Sequence, residues 1–387
     1  TLAHEIEYYN AGSEAANGEL VAWVKIPTLD ADDNTVIYMY YGNSCITAET
    51  QDKNAVWNSS YKGVWHLKES TGTQCDDSTS NANHGTPSSP EPPEQISGQF
   101  DGGLFFDDDD DANERSVLVA DDDNSLDLPS AMTVSAWVKT DDTDADVGVI
   151  LMKWSDTTSQ KNYWLGKLND TSIGFYVDDS ENVTASLSLI NDGTDFHHVV
   201  AVADPASGSE ELRIYVDGIE RNSVVWDGTS RTEDADFRIG NSTTALQEFG
   251  GTIDEVRVQS ITRSTDWIAT EYSNQNSPST FYALGAESPA GSYFAPTAPT
   301  TPYSNNTSAQ SGATNPGNII DPTLAFSAVY NDPDSGDFAN KYRVEVNTAS
   351  DFSGTVMWDS GAAGTSMSDT TEGSRCPDII YAGQSLA

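Results

Sequence analysis

The chain is poor in basic residues: 18 Lys plus Arg stand against 61 Asp plus Glu, a formal net charge of −43 over 387 residues. A surface of that sign repels nucleic acid and anionic membranes, so neither is expected as a partner. Runs of about 18 apolar residues, the length that crosses a bilayer, are missing as well, so no membrane insertion is expected. The chain starts at Thr1 without an initiator Met or a signal peptide, as a mature or truncated chain would. Only three cysteines occur, Cys45, Cys75 and Cys376, with no CxxC spacing, which argues against a zinc ribbon or a redox pair. Cys45 and Cys75 can pair if the protein is extracellular; equally, all three can be small core residues.

Helical periodicity is scarce too. One segment carries it: Ser264 is placed to cap a helix, Asp266 falls in its first turn, and Ile268 and Tyr272 share a face. That helix is expected to pack as a lid on a sandwich edge. Elsewhere short alternating runs recur at hairpin spacing, among them "LVAWVKI", "MTVSAWVK", "HHVVAVAD", "ELRIYVDG" and "TIDEVRV". Period-two alternation with such spacing predicts an all-β chain built as an antiparallel sandwich. In "LRIYVDGIERNSVVW" the pair Asp217-Gly218 supplies the positive φ angles of a two-residue turn.

Composition divides the chain. A Pro/Thr/Ser/Asn-rich stretch at 289–318 reads as a linker, and the strand-like runs at 319–387 after it look like a truncated fibronectin-III or Ig-like β domain. Before it lie a β-rich segment at 1–58 and a larger domain at 59–288. Both chain ends fall in mid-pattern and read as cut.

Several motifs of the larger domain occur in a characteristic order: "VWHLKES", "DDSTSNANHGT", "GLFFDDDDDANERSVLVADDDNSLDLPSAMTVSAWVK", "FHHVVAVAD" followed by "LRIYVDG", and "FGGTIDEVRV" with its trailing helix. In this order they resemble the laminin-G-like, concanavalin A-like jelly rolls of prokaryotic surface proteins. Upstream, "ELVAWVKIPTLDADDNTVIYMYYGN" looks like the end of an uncharacterised β-rich domain that often precedes such jelly rolls. The resemblance implies two antiparallel sheets of about six or seven strands each, ligands on the concave face or loop rim, and in many members a structural Ca²⁺.

In similar jelly rolls the Asp of "IDE" approaches the loop written here "DDSTSNANHG". The resemblance therefore implies a calcium site to which Asp254, Asp77 and Asn81 bring side-chain oxygens, Asn83 and Gly85 carbonyls, and Asp101 a further carboxylate. The alternative is that Asp77 and Asn81 cap turns through Asx hydrogen bonds while Asp254 pairs with an Arg. Neighbours in a regular strand face opposite ways, so Asp254 and Glu255 are expected to do separate jobs, one of them meeting solvent or an arginine such as Arg257 or Arg238. The runs "FDDDDDAN" and "ADDDN" read as solvated connections, or as weak calcium sites.

Catalytic motifs are lacking. Laminarinases of the same fold carry Glu-x-Asp-x-x-Glu on one strand, and no such pattern occurs here. GxSxG, P-loop and GxGxxG contexts are absent as well, and the five histidines are scattered. Flat aromatic rings are present instead: Trp154, Tyr163, Trp164, Tyr176 and Trp226 either stack on sugars or fill the sandwich core. The expectation is thus a non-catalytic module, calcium-supported, that binds a polysaccharide or mediates adhesion in an extracellular or cell-surface protein. A structural spacer, or an accessory module of a polysaccharide-degrading enzyme, are the other readings.

Overall fold

The computed structural model describes all residues except 13–17, 30–33, 43–47, 70–72, 108–114, 121–123, 156–159, 179–180, 207–210, 243–246, 286–295, 307, 312–323, 333–337 and 385–387. The described part separates into two compact units, Thr1–Ala283 and Leu284–Ala387.

The first unit opens with a two-stranded antiparallel ribbon, β1 (His4–Asn10) and β2 (Glu19–Val24), and a single helical turn α1 (Lys53–Val56). Strands β3 (Tyr61–Trp65), β4 (Thr86–Pro87), β5 (Glu94–Ser97), β6 (Gly102–Phe106), β7 (Val117–Val119) and β8 (Met132–Lys139) follow. Then come β9 (Gly148–Trp154), β10 (Lys161–Asn169), β11 (Ser172–Val177) and β12 (Glu181–Ser186). The last five are β13 (His197–Asp204), β14 (Glu211–Val216), β15 (Ile219–Val225), β16 (Phe237–Ile239) and β17 (Gly251–Gln259), before helices α2 (Thr265–Asn276) and α3 (Pro278–Phe281).

These strands form two antiparallel sheets. One has seven strands in the order β12-β11-β10-β9-β16-β7-β4; the other has eight, β15-β14-β13-β8-β17-β6-β5 with β3 also paired to β17. Alternation along each strand sends one set of side chains between the sheets. Trp65, Phe106, Val134, Leu165, Phe175, Val199, Ile214, Phe237 and Val256 meet there in one continuous core. The β14–β15 connection is the expected hairpin, with φ +55° at Asp217 and +73° at Gly218.

The outer face of the eight-stranded sheet is covered. Ser264 Oγ accepts the Trp267 N–H and starts α2, whose Ile268 packs on Val200, Val202 and Tyr215. Helix α2 therefore lies on a sheet face, not on the edge that its sequence suggested. Beside it the N-terminal ribbon reaches the same face through Trp23, which packs with Val56, Trp57, Tyr61 and Val64.

In the second unit Thr300–Asn306 pairs with Leu324–Val329, which pairs in turn with Ile379–Ile380. Part of the stretch read as linker is thus a strand. Cys75 and Cys376 are buried free thiols, and burial pushes the Cys75 thiol up to about 12; Cys45 lies outside the described residues.

Candidate functional site

The aromatic residues separate by strand parity. On β10, Tyr163 and Leu165 enter the core while Trp164 lies on the other side. Tyr163 is fully buried and its hydroxyl donates to the Leu126 carbonyl; Trp226 is 4% exposed and its indole donates to the Asp204 carbonyl. These two expected ligand contacts are corrected: both rings are core, Tyr163 pointing between the sheets from β10 and Trp226 packing there just after β15 ends.

Trp154, Trp164 and Tyr176 do come together, on the outer face of the seven-stranded sheet. Tyr176 meets both tryptophans edge-on, with ring centroids 6.4 Å from Trp154 and 5.9 Å from Trp164. Val149 and Met152 complete the patch, Trp164 forms its buried floor, and Trp154 and Tyr176 are half-buried. The Lys161 ammonium sits 5.0 Å from the centre of the Trp154 ring, a cation–π contact. Strand register extends the patch into a row across all seven strands: Asn182, Tyr176, Trp164, Met152, Arg238, Leu118 and Thr86 are successive partners. Glycines flank it, and Gly166 leaves the space that a Cβ would take against the Trp164 ring, 2.9 Å away.

Residues 111–269 match the model of the concanavalin A-like lectin/glucanases superfamily. The two-sheet sandwich has a concanavalin A-like fold. Residues 1–82 match a domain of unknown function, DUF2341. No curated protein matches the chain. Among solved structures, domain 4 of AbnA, a GH43 extracellular arabinanase from Geobacillus stearothermophilus solved in complex with arabinotriose, is similar at 16% identity and TM-score 0.41, covering 54% of this chain and 96% of that one. The CBM40 of the Ruminococcus gnavus IT-sialidase, bound to α2,3 sialyllactose, is similar at 14% identity and TM-score 0.33, covering 46% and 96%. The binding domain of Paraclostridial Mosquitocidal Protein 1 is similar at 10% identity and TM-score 0.45, covering 77% and 66%.

The concanavalin A-like domain does not gather the expected calcium ligands. Asp77 is buried, and its two oxygens accept from the backbone N–H groups of Val64, Thr79 and Asn83 and from the Thr79 hydroxyl. Four donors fill the lone-pair positions of a carboxylate. The Asn81 amide donates to the Tyr61 and Lys62 carbonyls, the Asn83 carbonyl accepts the Trp65 indole, and the Gly85 carbonyl accepts the Cys75 N–H. The Asp101 carbonyl accepts the Gly98 N–H, and Asp254 accepts those of Gln99 and Glu255. The carboxylates of Asp77, Asp101 and Asp254 do not converge on one point. A calcium ion needs six to eight oxygen ligands, and in this structure all four lone-pair positions of the Asp77 carboxylate are taken by protein donors. The Asx-turn alternative describes Asp77. The runs at 108–114 and 121–123 lie outside the described residues.

Asp254 leads to a different cluster. Between Asp254 and Arg257, β17 carries a bulge against β8, and Glu255 sits at φ +52°. The extra residue restores Val256 and Val258 to the core and leaves Asp254, Glu255 and Arg257 together on the outer face. All three are buried there. Arg257 donates to Glu255 at 2.6 Å and to Glu271 of α2 at 2.7 Å, and stacks on Trp23 and Trp57 of the N-terminal segment. The expected Arg257 partnership is thus real, but it belongs to Glu255. His66 contacts Glu255 through Nδ1, with Glu7 3.5 Å from the same nitrogen and Glu5 3.5 Å from Nε2. The Trp23 and Trp57 indoles donate to Glu7 and Glu5, each at 2.6 Å.

Charge and burial oppose each other in this cluster. Burial raises the Glu255 carboxyl, but His66 and Arg257 outweigh it and hold the group down at about 2. Burial lowers His66, but Glu255, Glu5 and Glu7 carry it up to about 10. Burial and the nearby Glu255 charge push Glu7 to about 8 and Asp254 well above the usual carboxylate range. Sequence reasoning passed over Glu5, Glu7 and His66. The available sign was an inverted strand: in "HEIEYYN" the acids at positions 5 and 7 share one face, and that face is the buried one.

Proposed function

We propose that the concanavalin A-like domain is a non-catalytic carbohydrate-binding module of an extracellular or cell-surface protein, taking a glycan on the outer face of its seven-stranded sheet. The observation that carries this reading is the outer-face aromatic patch, in which the half-buried Trp154 and Tyr176 meet the buried Trp164 while Asn182 and Arg238 extend the same cross-sheet row. Flat rings stack on the C–H faces of sugars, while amide and guanidinium groups read hydroxyls. The row holds no carboxylate, whereas glycoside hydrolysis uses two flanking the scissile bond, and this supports binding as the reading.

Affinity electrophoresis of the full chain against neutral and acidic polysaccharides tests this. Retention by at least one of them, weakened about tenfold or more by Trp154→Ala and by Tyr176→Ala, is expected. Retention unchanged in both variants would move the site elsewhere. No retention on any polysaccharide would leave the domain as a spacer.

A further inference from the structure

We propose that Glu7, His66 and Glu255 form a buried site for one divalent transition-metal ion of the Zn²⁺ type, which fastens the N-terminal ribbon to the outer face of the eight-stranded sheet. This site shares no residue with the aromatic row, and its test is independent of glycan binding.

The geometry comes first. One ligand atom from each residue lies within 4.8 Å of the others, and the three form the metal-type group found among the described residues. The side chains of His66, Glu7 and Glu255 are 3%, 0% and 1% exposed. Three elements distant in sequence deliver them: β1, the residue after β3, and the bulge of β17.

One polar atom in the cluster, Glu7 Oε1, is buried without a hydrogen-bond partner, and His66 Nε2 has only Glu5 at 3.5 Å. A buried acceptor left unpaired costs about 1–3 kcal/mol, more when it is charged. Glu7 spends its other oxygen on the Trp23 indole, so Oε1 is the lone pair on offer. Formal charge is unbalanced in the same direction. Glu5, Glu7, Asp254 and Glu255 face one imidazole, Arg257 and the nearby Lys68 ammonium, and Arg257 also serves Glu271, so the acids still outnumber the cations. The cluster thus needs further positive charge, as protons or as a cation.

The donor set selects the cation. One imidazole nitrogen with two carboxylate oxygens suits Zn²⁺ and its neighbours, whereas Ca²⁺ takes oxygens alone and more of them. Three protein ligands leave a fourth position for water. The supporting contacts of a metal site are also in place: the Trp23 indole on Glu7 and Arg257 on Glu255 fix both carboxylates from behind. The positive φ of Glu255 aims its side chain at His66, at a backbone cost that the surroundings must sustain. On binding, the ion replaces the proton on the ligating His66 nitrogen and any proton held by the Glu7 carboxyl, and these are released to solvent.

The experiment uses the full chain, stripped with a chelator and titrated with Zn²⁺ and with Co²⁺. Expected are one equivalent bound per chain, a visible cobalt d–d band displaced by Zn²⁺, release of about one to two protons, and a higher melting temperature. Glu7→Gln should weaken Zn²⁺ binding at least tenfold, while the double variant His4→Ala/His84→Ala, which removes two histidines outside the cluster, should bind as the wild type does. Should Glu7→Gln not fold, wild-type NMR decides: Zn²⁺ must shift the His66 ring resonances and leave those of His198 in place. Absence of stoichiometric binding, an unchanged affinity in folded Glu7→Gln, or an unmoved His66 ring would each overturn the proposal and leave a cluster balanced by protons alone.

Discussion

Asp254 and Glu255 are consecutive residues of one strand, yet they lie on the same face of the sheet, and the Asp254 carboxylate accepts the Glu255 backbone N–H at 2.7 Å. Regular pleating forbids this arrangement, and the bulge permits it. The pair is thereby committed to the joint between the N-terminal ribbon and the sandwich.

Arg257 is the guanidinium that this joint depends on. Replacing it with Met keeps much of the side-chain volume against Trp23 and Trp57 but strands Glu255 and Glu271 without their partner. Breaking a buried ion pair from one side costs about 3–5 kcal/mol. Urea unfolding of Arg257→Met should show a loss of that size, and a loss below about 1 kcal/mol would mean that the cluster is open to water.

The metal-free protein should lose stability in alkali. His66 is raised from its ordinary 6.5 to about 10, so its contribution is complete below pH 6.5 and disappears as pH climbs through 10. Glu7, raised from 4.5 to about 8, acts in the same direction: its contribution is complete below pH 4.5 and is lost as pH climbs through 8. Glu255, lowered from 4.5 to about 2, gives the acid limb, present above pH 4.5 and lost as pH falls through 2. Melting curves of the chelated protein should therefore decline by several degrees from neutral pH to pH 10, and Glu7→Gln should flatten the part of that decline near pH 8.

Asp77 is a structural acceptor. Asp77→Ala should destabilise the domain by roughly 3 kcal/mol or more, because buried Val64 and Thr79 N–H groups lose their acceptor. Millimolar Ca²⁺ should leave the melting temperatures of wild type and Asp254→Ala unchanged; a rise in the wild type that the variant loses would restore the calcium reading of the loop.

Tyr163 and Tyr176 should respond differently. Tyr163→Phe removes a buried hydroxyl that donates to Leu126, at a cost of about 1 kcal/mol, and should leave polysaccharide retention intact. Tyr176→Phe keeps the ring that meets Trp154 and Trp164 and should retain most binding, whereas Tyr176→Ala should not. Denaturation and retention measured on the same three preparations distinguish core from site.

The sandwich was legible because alternation and turn chemistry are local: the Asp217-Gly218 hairpin and the Ser264 cap needed only a few residues to be read. The core positions of Tyr163 and Trp226 were not, since an aromatic residue in a strand carries no mark of which sheet face it serves. The Asp254 surroundings escaped for a different reason. A bulge changes parity by a single residue, and alternation read through it places every side chain beyond on the wrong face. Glu7 and His66 were beyond local reasoning altogether, because their significance arises only when a ribbon from the chain start folds onto a strand far downstream.

That separation also sets an order of events during synthesis. His66 meets Glu255 across 189 residues, and ribosomes add roughly 5–20 residues per second. The N-terminal ribbon, with its tryptophans and buried-to-be carboxylates, therefore waits on the order of ten seconds or more in the growing chain before β17 emerges. Through that interval its acids are hydrated and have neither His66–Glu255 nor Arg257 contacts to balance them. The joint that holds the first residues of the domain is therefore among the last parts of it that can form.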